Sequence, residues 1–262
     1  MLLVLVAVDV EYDAIIKLVR KRSGSPLSNG RRLGSIWISE FTYDSEFGEL
    51  PFFLVKLDAM GPLDAAIAST LICSRMSIHR VAMPGIAAGL DADLTFGDIM
   101  IAESSQLYDA GKIMTNNRGE EDFRPTTKHR YASKRIMSIV DRFRSDSSIL
   151  SEIQSGWKGK HFYHPLQTKR GPFFCGDKLI ASAEATKSIQ NRERKVLGID
   201  MESYGVLAAS TYHDDVDFYV VKSISDKADE QKDDSHQAYA AYTSAKFVLE
   251  FESQIQVLND IM

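Results

Sequence analysis

The first eight residues, MLLVLVAV, are apolar without interruption and end at Asp9. A run of that length, rich in Val and Leu, predicts a fully buried strand over 2–8 in a parallel or mixed sheet. Asp9 follows as a candidate N-cap, and Ala14, Ile15, Leu18 and Val19 recur at helical spacing on one face. Residues 22–31 read as a loop. Two runs, 33–41 and 51–57, read as strands with a polar, Gly-containing connection. After Met60-Gly61-Pro62, the i, i+4, i+7, i+8 spacing of Leu63, Ile67, Thr70 and Leu71 predicts a second helix. A short strand at 80–84 leads into a glycine-rich turn, Pro84-Gly85-Ile86-Ala87-Ala88-Gly89, and 97–103 reads as a further strand. Residues 112–128 are polar without an apolar period and predict a surface loop. A mostly polar helix is expected over 129–145, and 150–170 shows no clear pattern.

The C-terminal third is patterned more sharply. Strands are expected near 172–176, at 195–200 and at 216–224, a helix over 202–213, and a long closing helix with Ala241, Ala245, Val248 and Leu249 on one face. Strands alternating with helices predict an α/β domain around a mostly parallel sheet. No repeat, linker or low-complexity tract divides the chain, so 1–262 is expected to be one domain.

Composition narrows the function. With 31 Lys+Arg against 36 Asp+Glu the net charge is −5, which argues against a nucleic-acid partner. The opening apolar run is too short to span a bilayer and has no basic leader, so neither a membrane partner nor a signal peptide is expected. Cys73 and Cys175 are the only 2 cysteines and lie far apart, which disfavours a disulfide framework. The expectation is a soluble cytoplasmic protein.

Three acids share one setting. Glu11, Glu202 and Asp226 each lie just past the end of a predicted strand, where ligands bind in open α/β sheets. Acids gathered there suit general acid–base work, because burial and mutual repulsion raise a carboxyl pKa toward neutrality. A plainer explanation is that acids in a helix's first turn only meet its positive end, and that the polar stretch opened by Asp226 is a solvated face. Walker A, GxSxG and HExxH patterns are absent, and His161 and His164 are a weak zinc suggestion.

Ordered along the chain, several segments resemble the nucleoside phosphorylase/nucleosidase superfamily, most closely its methylthioadenosine/S-adenosylhomocysteine nucleosidase branch. They are Val8-Asp9-Val10-Glu11, Gly85-Ile86-Ala87-Ala88-Gly89-Leu90 with Gly97-Asp98-Ile99, Asp200-Met201-Glu202, and Ser223 to Asp229; Gly176-Asp177-Lys178-Leu179-Ile180 is a weaker match. The resemblance implies an α/β sandwich with a mixed, barrel-like central sheet, and cleavage of an N-glycosidic bond without metal or organic cofactor. It implies that Asp226, helped by Ser225, protonates a purine at N7. Glu202 would hold the ribose hydroxyls with Met201 packed against the sugar, and Glu11 would act on the attacking water. Backbone near Leu179 and Ile180 would read the base edge, and Ala87 and Ala88 would line the space beside the anomeric carbon. Lys222 stands where the branch has Arg and counts among the substrate-binding candidates. A homo-oligomer, dimer or hexamer, is implied as well, with Tyr108, Asp109 and the following loop as a subunit contact.

The sister phosphorylases attack with phosphate held near the first strand–helix turn. Here that turn is Asp9-Val10-Glu11-Tyr12-Asp13, whose acids repel a dianion and favour water, although Lys17 and Arg20 follow. Ile86 replaces the branch's usual Ser, Ala88 replaces a Gly, and basic residues are frequent over 112–170. Lys169, Arg170 and Lys178 flank the base-binding segment, which leaves a nucleotide substrate open, as in purine-nucleotide-degrading relatives of stress or phage defence. The same segments are also compatible with a phosphate-dependent phosphorylase or a non-catalytic nucleoside sensor.

Overall fold

The structure, a computed structural model, describes residues 1–23, 30–116, 118–126, 128–160, 162–229 and 234–261. The chain opens with β1 (Leu2–Val6), α1 (Asp9–Ser23), β2 (Gly30–Leu33), β3 (Ile36–Ser45) and β4 (Gly48–Lys56). It continues with α2 (Pro62–Arg75), β5 (Arg80–Gly89), β6 (Ile99–Leu107), β7 (Gly111–Thr115), β8 (Glu121–Pro125) and β9 (His129–Tyr131). Then come α3 (Lys134–Phe143), α4 (Ser147–Ser155), β10 (Thr168–Cys175) and α5 (Ala183–Gln190). β11 (Gly198–Asp200), α6 (Ser203–Ala209), β12 (Asp217–Asp226) and α7 (Gln237–Ile261) complete it.

The main sheet runs β11-β10-β6-β12-β5-β1-β4-β3-β2, with β9 beside β6. Because β11 also pairs with β5, the strands β5, β12, β6, β10 and β11 close on themselves as a mixed barrel, and β1 to β4 extend it. β1 and β12 both run parallel to β5, whereas β11 runs antiparallel to it. β1 and β12 are buried along their whole length, β1 as an uninterrupted apolar strand in a covered sheet and β12 together with its Asp217, Lys222, Ser223, Ser225 and Asp226. α1 and α7 pack on each other, and α7 lies against β5 and β12.

α7 is buried around its circumference from Tyr239 to Ser253, well beyond the expected Ala241, Ala245, Val248 and Leu249 face. Its buried charges are paired, as burial requires: Glu252 accepts from Arg80 at 2.6 Å and from Tyr219 at 2.7 Å, and Lys246 pairs with Glu250.

Several segments differ from the sequence pattern. On α2, Ala65, Ala68, Ser69 and Ile72 are buried while Leu63 and Ile67 are 65% and 53% exposed. Small residues let α2 pack closely on α6, a face that a search for bulky apolar residues overlooks. Residues 84–89 are not a turn: β5 continues straight through them. The 112–128 loop contains the β7–β8 ribbon, which is paired only with itself and so has no one-sided apolar alternation. The segment 150–170 holds most of α4 and the start of β10, and α5 has no clear sequence signal. Of the 22–31 loop, residues 24–29 lie outside the described residues, 22–23 end α1 and 30–31 begin β2.

Candidate active site

The ends of β1, β5, β11 and β12 surround a cavity of about 520 Å³. Glu11, Glu202 and Asp226 all line it, as do Ser225, Met201, Leu179, Ile180, Ala87 and Ala88. Three segments distant in the chain thus deliver their acids to one hollow. Glu11 and Asp226 follow parallel strands, as expected. Glu202 follows β11, which runs antiparallel to β5.

Glu11 is 3% exposed. Its carboxylate accepts backbone N–H bonds from Ala7 at 2.7 Å, Val8 at 3.3 Å and Ile86 at 2.8 Å. Those bonds fix it between the β1–α1 turn and β5, and they explain the Gly/Ala run in β5. A Cβ at Gly85 would overlap the Glu11 carboxylate and come within 2.7 Å of Lys222 Nζ. Asp9, the other acid of that turn, is solvent-exposed and bonds Lys56 at 2.5 Å.

Glu202 precedes α6 without capping it through its side chain. Its carboxylate instead accepts from the Gly61 N–H at 3.2 Å, at the start of α2. Gly61 has φ 120°, in the region that favours glycine, and Asp177 fills the space a side chain would need. Burial pushes Glu202 up to about 7, with Asp200 and Glu11 adding to the push while Lys222 and the Gly61 N–H oppose it.

Asp226 ends β12 at an irregularity: Ile224 pairs with Ala87 and Asp226 with Ala88, so Ser225 is the extra residue. Such a bulge re-aims side chains, here into the cavity. Ser225 Oγ donates to Asp226 Oδ2 at 2.9 Å, and Asp226 Oδ1 accepts from the Ala228 N–H at 3.0 Å. Ala228 is fully buried with φ 55°, a left-handed conformation that costs a residue with a side chain roughly 1–2 kcal/mol.

Lys222 does not line the cavity. Its side chain is fully buried beneath the acids, with Nζ 3.5 Å from Glu202, 3.6 Å from Glu11 and 4.0 Å from Asp200. It is therefore an ionic partner of the acids and not a substrate contact. Burial alone would lower its pKa, but the three carboxylates outweigh burial and hold the ammonium protonated.

Asp200 is a fourth acid, to which the sequence alone assigns no role. It is 5% exposed, lines the cavity, and accepts from Ser203 N at 3.0 Å and Ser203 Oγ at 2.6 Å. Burial raises its pKa against the pull of Lys222 and Ser203. Its place two residues before Glu202 on a buried strand end is the signal that could have found it. Met60, Lys178, Asp234 and Gln237 complete the mouth.

Other expectations resolve differently. Lys169 bonds Asp91 at 2.6 Å and Arg170 pairs with Asp141, so neither is free for a ligand. Tyr108 is 5% exposed; its hydroxyl donates to Lys178 O at 2.6 Å and accepts from Lys178 N at 3.2 Å, pinning the Lys178–Ile180 segment from beneath. His161 and the side chain of Arg20 lie outside the described residues. Among the described residues, no group of three or more His, Cys, Asp or Glu is placed to hold a metal ion, and no helix is long and apolar enough to cross a membrane.

A closed mixed sheet with helices on its flanks, and an acid-floored cavity at its strand ends, defines an α/β protein built to hold a small polar molecule. The chain belongs to the phosphorylase superfamily, whose sequence profile matches residues 2–253. Its relatives in sequence include the following two. An uncharacterised Sinorhizobium fredii protein, y4jS, is 26% identical over 200 residues, 74% of this chain and about half (48%) of that protein's length. A 5′-methylthioadenosine/S-adenosylhomocysteine nucleosidase of Staphylococcus aureus is 24% identical over 205 residues, 77% of this chain and 82% of the relative. Among solved structures, the Neisseria meningitidis nucleosidase of that name, in complex with methylthio-immucillin-A, superposes with a TM-score of 0.73 at 18% identity, covering 97% of this chain and 98% of that one. Futalosine hydrolase of Helicobacter pylori does so with a TM-score of 0.73 at 19% identity, covering 97% of each chain. These likenesses bear out the barrel-like α/β fold.

Proposed function

We propose that this protein is a purine nucleosidase that hydrolyses the N-glycosidic bond of an adenine nucleoside. The observation that carries this reading is the convergence of Glu11, Glu202 and Asp226 on one cavity. Cleaving the bond between ribose C1′ and purine N9 builds positive charge on the sugar and negative charge on the base. Asp226 delivers a proton to N7, so the bonding pair leaves with a neutral purine. Glu202 accepts hydrogen bonds from the ribose hydroxyls, and its charge stabilises the cationic sugar. Glu11 takes a proton from the water that adds to C1′. Backbone of the Leu179–Ile180 segment reads the base edge, Met201 packs on the sugar, and Ala87 and Ala88 leave room beside C1′. The similarity to the S. aureus nucleosidase and the H. pylori hydrolase supports hydrolysis.

Water suits the cavity better than phosphate. Its described lining carries Asp9, Glu11, Asp200, Glu202, Asp226 and Asp234 against the single cation Lys178, and Lys222 is already surrounded by acids. A phosphate dianion would be repelled there. The same field, with Lys169 and Arg170 committed to other partners, favours a nucleoside over a nucleotide. Chromatography of bases released from adenosine, methylthioadenosine, AMP and ATP, with and without phosphate, tests this. Adenine from the nucleosides in phosphate-free buffer is expected; release from the nucleotides alone would overturn the substrate assignment.

The protein acts as a homo-oligomer in this reading. The exposed Leu63 and Ile67 of α2 continue into Met60 at the cavity mouth, an apolar stripe of the kind that subunit contacts cover. Sedimentation of Ile67→Glu against the unaltered protein tests it, with dissociation expected.

A further inference from the structure

We propose that Thr186, on α5, is a positioning residue for the proton donor Asp226. The inference rests on the role given to Asp226 above and adds to it the device that aims its carboxylate. The Ala228 N–H, at 3.0 Å from Oδ1, helps to orient that carboxylate. Ala228 carries that N–H at φ 55°, a conformation its methyl side chain disfavours. Something outside the turn must hold it. The Thr186 hydroxyl does so, donating to the Ala228 carbonyl at 2.7 Å from 42 residues away in the chain, with both groups buried.

α5 is braced for this task. Its Ser182 cap accepts from Ala185 N, and Gln190 near its far end donates to Leu90 O at 2.9 Å. Ile189 packs into a small apolar cluster with Leu90, Tyr108 and Phe174. A threonine hydroxyl within a helix ordinarily bonds the carbonyl one turn back; here it is spent on the turn that carries the acid. α5 also follows directly on the Lys178–Ile180 segment that lines the base end of the cavity. One short helix thus sets both the base-reading segment and the turn of the residue that protonates the base.

The test compares Thr186→Val, Thr186→Ala and Thr186→Ser with the unaltered protein, using methylthioadenosine as probe and thermal melting to verify folding. A proton donor tilted out of line affects the chemical step more than binding. Thr186→Val and Thr186→Ala should therefore lower kcat roughly tenfold with KM within about twofold, and Thr186→Ser should recover most of kcat. Full kcat in both deletion variants, a loss confined to KM, or a Ser variant as impaired as the Val variant would overturn the proposal while leaving the hydrolase reading intact. An unaltered protein that releases no adenine would overturn both.

Discussion

The floor and the mouth of the cavity are built differently. On the floor Glu11, Asp200, Glu202 and Asp226 are at most 6% exposed, and each carboxylate accepts at least one backbone N–H bond. Lys222 supplies the countercharge from below. At the mouth, Met60 and Leu179 are 53% and 67% exposed, and Lys178 and Asp234 stand in solvent. Charges fixed in advance where the bond breaks stabilise the transition state without reorganisation. Side chains open to solvent adapt to whatever part of a ligand reaches them. Under the proposed reaction the contrast puts reaction type in the floor and substrate identity in the mouth, so substitutions in the two regions should fail in different ways.

The largest effect is expected from Asp226→Asn, which keeps the shape and removes the proposed proton donor. kcat for adenine release should fall by about 10³ or more, with the melting temperature nearly unchanged. Glu11→Gln should lower kcat by roughly 10²-fold, measured in the same assay, because the water loses its proposed base.

Next is the pH dependence carried by Glu202. Its folded pKa of about 7 lies above the ordinary glutamate value of 4.5. The ionised form, which in the proposed reaction accepts the ribose hydroxyls, is therefore lost below neutrality, and kcat/KM should fall about tenfold per pH unit there. Linkage gives stability the opposite trend: the neutral form is favoured by folding, so the contribution is whole below 4.5 and is lost as pH rises through about 7. Glu202→Gln should abolish that slope in melting temperature against pH. Lys222→Met removes the opposing cation and should move the acid limb of the profile to higher pH. The smallest effect belongs to the mouth: Leu179→Ala should raise KM a few-fold, roughly 1 kcal/mol of uniform binding, with kcat unchanged. A kcat loss there matching that of a floor variant would erase the distinction between the two regions.

Much of this architecture is legible in the sequence, and the rest is hidden for identifiable reasons. The buried strand that opens the chain is legible because an uninterrupted apolar run has few other uses, the one at 216–224 because Phe218 to Val221 form a short apolar and aromatic stretch, and acids at their ends flag the cavity. The glycine run at 84–89 reads as a turn because glycine ordinarily marks one. In β5 it is required because the Glu11 carboxylate occupies the space of a side chain at Gly85. The inward face of α2 escapes a search for bulky residues because Ala65, Ala68 and Ser69 bury by close approach while Leu63 and Ile67 face outward. Lys222 resembles a ligand contact because sequence shows a charge without its depth. Thr186 leaves no trace at all: its partner lies 42 residues away, and nothing local distinguishes it from any helical threonine.

The central claim is that the acid floor directs water, and not phosphate, at the sugar. It is tested most directly by supplying methylthioadenosine in phosphate-free buffer and identifying both products. Adenine together with free methylthioribose, at a rate that added phosphate leaves unchanged, is the predicted result. Turnover that appears only with phosphate and yields a sugar 1-phosphate would contradict it.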